Sequence, residues 1–328
     1  MNDRTATKEP TNPGRFIVGM PRAGTTAIIR ALSLDPEVAA FGETLFFGRN
    51  WIEPDQNGHL DQSAIERHAE RFATLKLDPA GTSGLWPERT SVSDDIAEAM
   101  RRTTAPCSPD VLFQAITDTV LSLTGRKFWV EKTPHHMMYL DRMLGYFPDA
   151  RFVVMIRSPA AFLQSYKQQG DRKSPEARRL FHRIYHPAMA SLVARRTYEA
   201  AERADRYEQV FLVRLEDLAS APEIWLPRVR EHLKLPDVTS ASFAKDNSSF
   251  ADGRVEQRPL SNAECAWLRK ITGPAAARLG YDVGSLQGST RALAMSGATL
   301  PWWGIRNART LTKLDQGGIR SLIKRWMR

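Results

Sequence analysis

Gly19-Met-Pro-Arg-Ala-Gly-Thr-Thr, residues 19–26, carry the first sign of chemistry. The apolar run Phe16-Ile17-Val18 before them predicts a buried strand. Thr25 and Thr26 open a segment in which Ala27, Ile28, Ala31 and Leu32 have helical spacing. The first amides of a helix lack partners within it, and the helix dipole adds positive potential, so a loop of this kind invites a phosphate. A nucleotide triphosphatase loop reads G-x-x-x-x-G-K-[ST]. Gly19 and Gly24 keep the spacing, but Thr25 stands where the lysine belongs, and Arg22 places a cation inside the loop. The loop therefore suits one terminal phosphate better than a metal-bound triphosphate; the plainer alternative is a glycine-bounded strand-to-helix turn. Arg157 leaves a second apolar run, and Ser165 follows eight residues later, two turns into the next helical segment. An arginine fork with a hydroxyl can hold a second phosphate; the alternative for Arg157 is a surface salt bridge.

These residues need elements to position them. Strands are expected at 16–18, 38–41, 127–131, 151–156 and 210–214. Helices are expected at 25–32, 61–77, 91–103, 110–123, 136–145, 159–169, 176–206, 222–233 and 261–279. Strands alternating with helices imply parallel pairing through crossovers and a three-layer α/β/α sandwich with a central parallel sheet, and with the Gly19–Gly24 loop the expectation is a P-loop-like nucleotide-binding core. Ligands of such sheets sit beyond the carboxyl ends of the strands. That singles out the exits Gly19–Thr26, Gly42-Glu43, Lys132–His136, Arg157-Ser158 and Arg214–Asp217.

Composition narrows the classes. The chain has 328 residues, 42% hydrophobic and 25% charged, as in ordinary globular domains. Two distant cysteines, Cys107 and Cys265, argue against a disulfide framework or a cysteine metal site and for a reducing compartment. The opening residues lack the apolar core of a signal peptide, and no run approaches the ~18 apolar residues of a membrane span. The formal charge of +9 is uneven: residues 291–328 hold eight Lys and Arg against one Asp. Trp302, Trp303, Ile305, Ile319, Leu322, Ile323 and Trp326 lie among them, so the stretch reads either as a solvated, partly ordered extension or as a contact to an anionic surface or an acidic partner. No nucleic-acid-binding module is visible.

Taken together, Gly-Met-Pro-Arg-Ala-Gly-Thr-Thr at 19–26, Arg157-Ser-Pro with Ser165, Ser33–Phe47 with its Gly-Glu, Lys132-Thr-Pro-His, and Val213-Arg-Leu-Glu-Asp-Leu followed by Leu233-Lys-Leu-Pro resemble the sulfotransferases that use 3′-phosphoadenosine 5′-phosphosulfate. The likeness spans roughly 15–280 and is similar in places to the tyrosylprotein and glycosaminoglycan branches and to bacterial members. It implies that Arg22, Ala23, Gly24, Thr25 and Thr26 hold the 5′-phosphate and that Arg157 and Ser165 hold the 3′-phosphate. It further implies Glu43 as the base and Lys132 as the group that reaches the scissile bridging oxygen, with Arg22 beside it. Arg258 matches a late basic residue near the phosphates, with Arg254 as a rival. His135 competes with Glu43 for the base, although Pro134 sets it one residue late relative to the Lys-Thr-His exit of cytosolic members. Leu215 stands where many members have Tyr.

The expectation is thus a cytoplasmic sulfotransferase moving a sulfo group to a hydroxyl of a carbohydrate, lipid or other small acceptor. No metal is required, no nucleic acid is bound, and the oligomeric state is open. Residues 1–14 form a disordered leader, 15–285 the transferase domain and 286–328 a basic extension that touches an anionic surface or is merely solvated. The alternatives are a P-loop kinase or nucleotide hydrolase and a non-catalytic nucleotide-binding protein.

Overall fold

A computed structural model describes residues 13–75, 77, 92–171, 174–237 and 257–314. Residues up to 12, 76, 78–91, 172–173, 238–256 (Arg254 among them) and those from 315 fall outside these.

Two compact units emerge, residues 1–157 with 200–247, and residues 158–199 with 248–328. The first holds all five strands of the sheet: β1 (Arg15–Gly19), β2 (Val38–Phe41), β3 (Phe128–Lys132), β4 (Arg151–Ile156) and β5 (Val210–Arg214). They are parallel, in the order β2-β3-β1-β4-β5, so the first strand of the chain is central. Every residue of β1 and β2 is buried, as expected of strands covered on both faces. The parallel strands are joined by helices: α1 (Thr25–Ser33), α2 (Gln62–Ala73), α3 (Val92–Arg101), α4 (Pro109–Thr124), a 3₁₀ turn (Pro134–Tyr139) running into α5 (Leu140–Tyr146), and, after β5, α9 (Leu215–Ser220) and α10 (Pro222–His232). The fold is therefore mixed α/β, a central parallel sheet flanked by helices.

Phe16 of β1 anchors the core. It stacks on Phe152 with ring centroids 5.2 Å apart and meets Trp129, Phe113 and Phe47 at 5.4, 5.7 and 6.3 Å. Such pairs add to simple area burial. The buried ion pair of Asp35 and Arg230 (2.5 Å) ties the turn before β2 to α10.

The second unit contains α6 (Pro159–Lys167), α7 (Pro175–Ile184) and most of α8 (Pro187–Ala204). It also contains α11 (Asn262–Trp267), a π-helical turn (Leu268–Thr272), α12 (Gly273–Arg278), α13 (Thr290–Ala298) and α14 (Leu300–Leu314). Two expectations are corrected here. The single helix over 176–206 is two, broken at Tyr185-His186, because Pro187 lacks an amide and pushes the residue before it out of the helical region. The helix over 261–279 carries a π-helical turn in its middle. Among the described residues no helix is long and apolar enough to cross a membrane.

Candidate active site

The sheet order puts four strand exits side by side at the carboxyl edge of the first unit: Gly42-Glu43 after β2, Lys132 ending β3, the 19–24 loop after β1, and Arg157 after β4. Residues more than a hundred positions apart in sequence thus become neighbours on one edge.

The loop is built tightly on β4. The Met20 amide donates to the Met155 carbonyl at 2.8 Å, and the Ala23 amide donates to the Met20 carbonyl at 3.1 Å. Gly19 has φ +137° and lies so close to β4 that a Cβ would stand 2.2 Å from the Met155 carbonyl oxygen. Arg22 adopts a left-handed φ of 68° and is exposed, whereas Ala23 is buried and offers only its backbone. Gly24 caps α1, whose first residues Thr25 and Thr26 follow directly. Leu215 packs on Gly24: its Cδ1 would be 2.5 Å from a Cβ there. Arg157 donates from Nη1 to the Arg22 carbonyl at 3.1 Å, laying a guanidinium against the loop.

On the other side, Lys132 Nζ donates to Glu43 Oε1 at 2.6 Å. The lysine side chain is 9% exposed and the glutamate 39%. The two exits approach so closely that a Cβ on Gly42 would stand 2.1 Å from the Lys132 carbonyl oxygen. An ammonium beside a carboxylate in a partly dry setting can stabilise a leaving oxygen and accept a proton without moving far.

Sequence reasoning missed what lies beneath this pair. Glu131, fully buried, accepts at Oε1 from the Thr44 amide (3.2 Å), the Thr44 hydroxyl (2.8 Å) and the Thr133 hydroxyl. Its Oε2 faces His136 Nδ1 at 3.3 Å. His136 Nε2 accepts from the Phe47 amide at 3.3 Å, which assigns the ring's proton to Nδ1, toward Glu131. Burial pushes the Glu131 carboxyl up, but His136, Thr133 and Thr44 together hold it below its usual range. The signal was a carboxylate inside the apolar strand Phe-Trp-Val-Glu-Lys with a threonine two residues on.

The remaining predicted residues are placed as follows. His135 is exposed on the 3₁₀ turn, one residue before the buried His136. Ser165 lies in α6 of the second unit and is 2% exposed. Arg258, also in the second unit, donates to Asp171 at 2.7 Å. Among the described residues no group of three or more His, Cys, Asp or Glu is disposed to hold a metal ion.

The profile of the sulfotransferase family matches residues 13–240, more than half of the chain. The nodulation protein NoeE of Sinorhizobium fredii (strain NBRC 101917 / NGR234) is 25% identical over 280 residues, 78% of this chain and 60% of that protein. The chain therefore spans about 60% of the length of this curated relative. Among solved structures, the sulfotransferase domain of the Synechococcus PCC 7002 olefin synthase superposes with a TM-score of 0.53 at 16% identity, covering 83% of this chain and 95% of that domain. At that identity the likeness speaks for the fold.

Proposed function

The chain belongs to the sulfotransferase family, and from that premise we propose that it transfers a sulfo group from 3′-phosphoadenosine 5′-phosphosulfate to a hydroxyl of a carbohydrate, lipid or other small acceptor. The observation that carries this reading is the Lys132–Glu43 pair, 2.6 Å apart on the same sheet edge as the β1 loop and Arg157. In the reading, residues 22–26 receive the 5′-phosphate, while Arg157, with Ser165 as the sequence motif implies, receives the 3′-phosphate. Arg258 is kept as a further phosphate contact. The binding roles rest on the charges of Arg22, Arg157 and Arg258 and on the start of α1 after Gly24.

The reaction then follows from the side chains. The acceptor oxygen attacks sulfur as the bond from sulfur to the bridging phosphate oxygen breaks, with the three atoms roughly in line. Glu43 takes the hydroxyl proton, and Lys132 and Arg22 offset the charge that collects on the leaving phosphate. In the free protein Lys132 and Glu43 hold each other; a bridging oxygen that draws Lys132 away leaves Glu43 open to the acceptor. A positioned base contributes roughly 10²–10⁴ in rate. The reading takes 15–285 as the transferase domain and the cytoplasm as its setting, which the two free, buried thiols support.

The test is transfer of labelled sulfate from the donor to a mixed extract of glycans, lipids and phenols, with the product identified by mass. Glu43→Ala should lower transfer by about 10²-fold or more while leaving 3′,5′-adenosine bisphosphate binding nearly unchanged. Persistence of activity in Glu43→Ala together with its loss in His135→Ala would move the base to His135. Magnesium-dependent ATP turnover without sulfo transfer would replace the whole reading.

A further inference from the structure

Among the described residues the loop after Glu43 pairs with no strand, yet its amides are satisfied in an ordered way. Four consecutive backbone N–H groups go to side chains of one buried cluster. The Thr44 amide donates to Glu131, the Leu45 amide to the Thr133 hydroxyl at 3.4 Å, the Phe46 amide to the Thr44 hydroxyl at 3.4 Å, and the Phe47 amide to His136. Asn50 adds a bond from Nδ2 to the Thr44 carbonyl at 2.8 Å. Glu131 is the hub. One of its oxygens accepts from both loops, Thr44 on the side of Glu43 and Thr133 on the side of Lys132, and the other faces His136. Being wholly buried, it touches no substrate.

A buried carboxylate is an expensive way to hold two loops if only stability were needed, since apolar packing serves as well or better. What a carboxylate does that apolar packing does not is fix direction, because donors must point at it. We propose that Glu131 is a positioning residue for the reacting pair: through Thr44, Thr133 and His136 it fastens the loop bearing Glu43 to the strand exit bearing Lys132. The proposal rests on the reading of Glu43 and Lys132 as that pair.

Glu131→Gln separates charge and direction from volume. With its amide oxygen in the place of Oε1, the new NH₂ faces the Nδ1 proton of His136. Relief by moving that proton to Nε2 sets N–H against the Phe47 amide, so one anchor of the loop is lost in either case. Thr44→Val removes the hydroxyl at nearly constant shape, and Thr44→Ser restores it. The assay is single-turnover transfer from saturating radiolabelled 3′-phosphoadenosine 5′-phosphosulfate to the mixed extract, alongside calorimetric binding of 3′,5′-adenosine bisphosphate and thermal melting.

Glu131→Gln and Thr44→Val should slow transfer by about 10- to 10²-fold while the bisphosphate Kd stays within about twofold, and Thr44→Ser should recover to within about threefold of the parent. Parent-like transfer in Glu131→Gln and Thr44→Val, with Glu43→Ala and Lys132→Ala inactive, overturns the positioning role alone. Parent-like transfer in Glu43→Ala and Lys132→Ala overturns the reacting pair and the positioning role with it. Bisphosphate affinity that falls in step with the transfer rate also overturns it, because the residue would then support the fold of the whole site. Should Glu131→Gln fail to fold, the Thr44→Val and Thr44→Ser pair decides the question on its own.

Discussion

Arg157 holds two bonds' worth of meaning in one side chain. Its Nη1 donates to the Arg22 carbonyl at 3.1 Å, bracing the β1 loop, and its charge at the end of β4 is the proposed seat of the 3′-phosphate. The two roles separate experimentally. Bracing the loop helps any 5′-phosphorylated nucleotide, whereas a 3′-phosphate seat helps only the doubly phosphorylated one. Arg157→Ala should therefore weaken 3′,5′-adenosine bisphosphate by about 10²-fold and adenosine 5′-monophosphate by less than about tenfold, as calorimetry would read, since hydrogen bonds to charged groups are worth roughly 1.5–3 kcal/mol. Equal losses would leave the bracing and remove the phosphate seat. Arg157 was legible in the sequence because a charge that ends an apolar run has to face the carboxyl edge of the sheet. Glu131 was not, because beside Lys132 it reads as part of the same charged exit. Its burial depends on Thr44, 87 positions away, and only the parallel register of β2 with β3, Phe41 opposite Glu131, brings them together.

At the level of elements, α2 shows how an apolar face can conceal a titratable group. Its buried residues Ala64, Ile65, His68, Ala69 and Phe72 follow helical spacing, and His68 takes the place of an apolar side chain. The imidazole stacks on Phe46 at 4.9 Å, and neither ring nitrogen has a hydrogen-bond partner among the described residues. Burial, with Arg71 and Arg67 nearby, lowers its pKa from the ordinary 6.5 to about 3. The unfolded chain then binds a proton near pH 6.5 that the folded chain refuses until about pH 3. The ring's contribution to stability is thus fully present above pH 6.5 and is lost as the pH falls toward 3. His68→Phe keeps a ring against Phe46, so urea melts should show a shallower fall in stability between those pH values than in the parent; parallel curves would show that the ring does not titrate as argued. The same apolar periodicity made the elements readable. All five strands stand within a residue of where their apolar runs placed them, and α1 to α4 lie within a few residues of expectation. The division of 176–206 was overlooked although its cause, Pro187, is in plain sight, because both halves share helical composition and only the backbone effect of proline separates them.

Across the whole molecule the charge is concentrated at one end of the chain, where residues 291–328 carry eight Lys and Arg against a single Asp. The structure shows how the apolar residues of α13 and α14 among them are placed. On α14, Trp303 donates to the Ile184 carbonyl at 3.2 Å and the buried Asn307 donates to the Arg183 carbonyl at 3.2 Å, so this side of the helix is fixed to α7. Trp302 and Ile305, one turn apart on the other side, are 66% and 72% exposed, and Met295 of α13 is 64% exposed. In the sequence these exposed apolar side chains stand among the Lys and Arg of 291–328, the composition of a helix that lies on an anionic lipid surface, where each cation near the surface contributes about 1 kcal/mol and the apolar side chains enter the headgroup boundary. The expected result is cosedimentation with phosphatidylcholine vesicles containing about a third phosphatidylserine but not with pure phosphatidylcholine, weakening steeply with added salt because the attraction is screened over about a nanometre. Trp302→Ala with Ile305→Ala should lower the bound fraction about tenfold at low salt without altering bisphosphate binding, because each loses an apolar side chain worth roughly 1.5–3 kcal/mol of burial, reduced for partial insertion. Binding that survives both substitutions would assign the attraction to charge alone. Indifference to phosphatidylserine would mean that the exposed face serves a protein contact or none, and the acceptor would then be sought among soluble hydroxyl compounds before lipids.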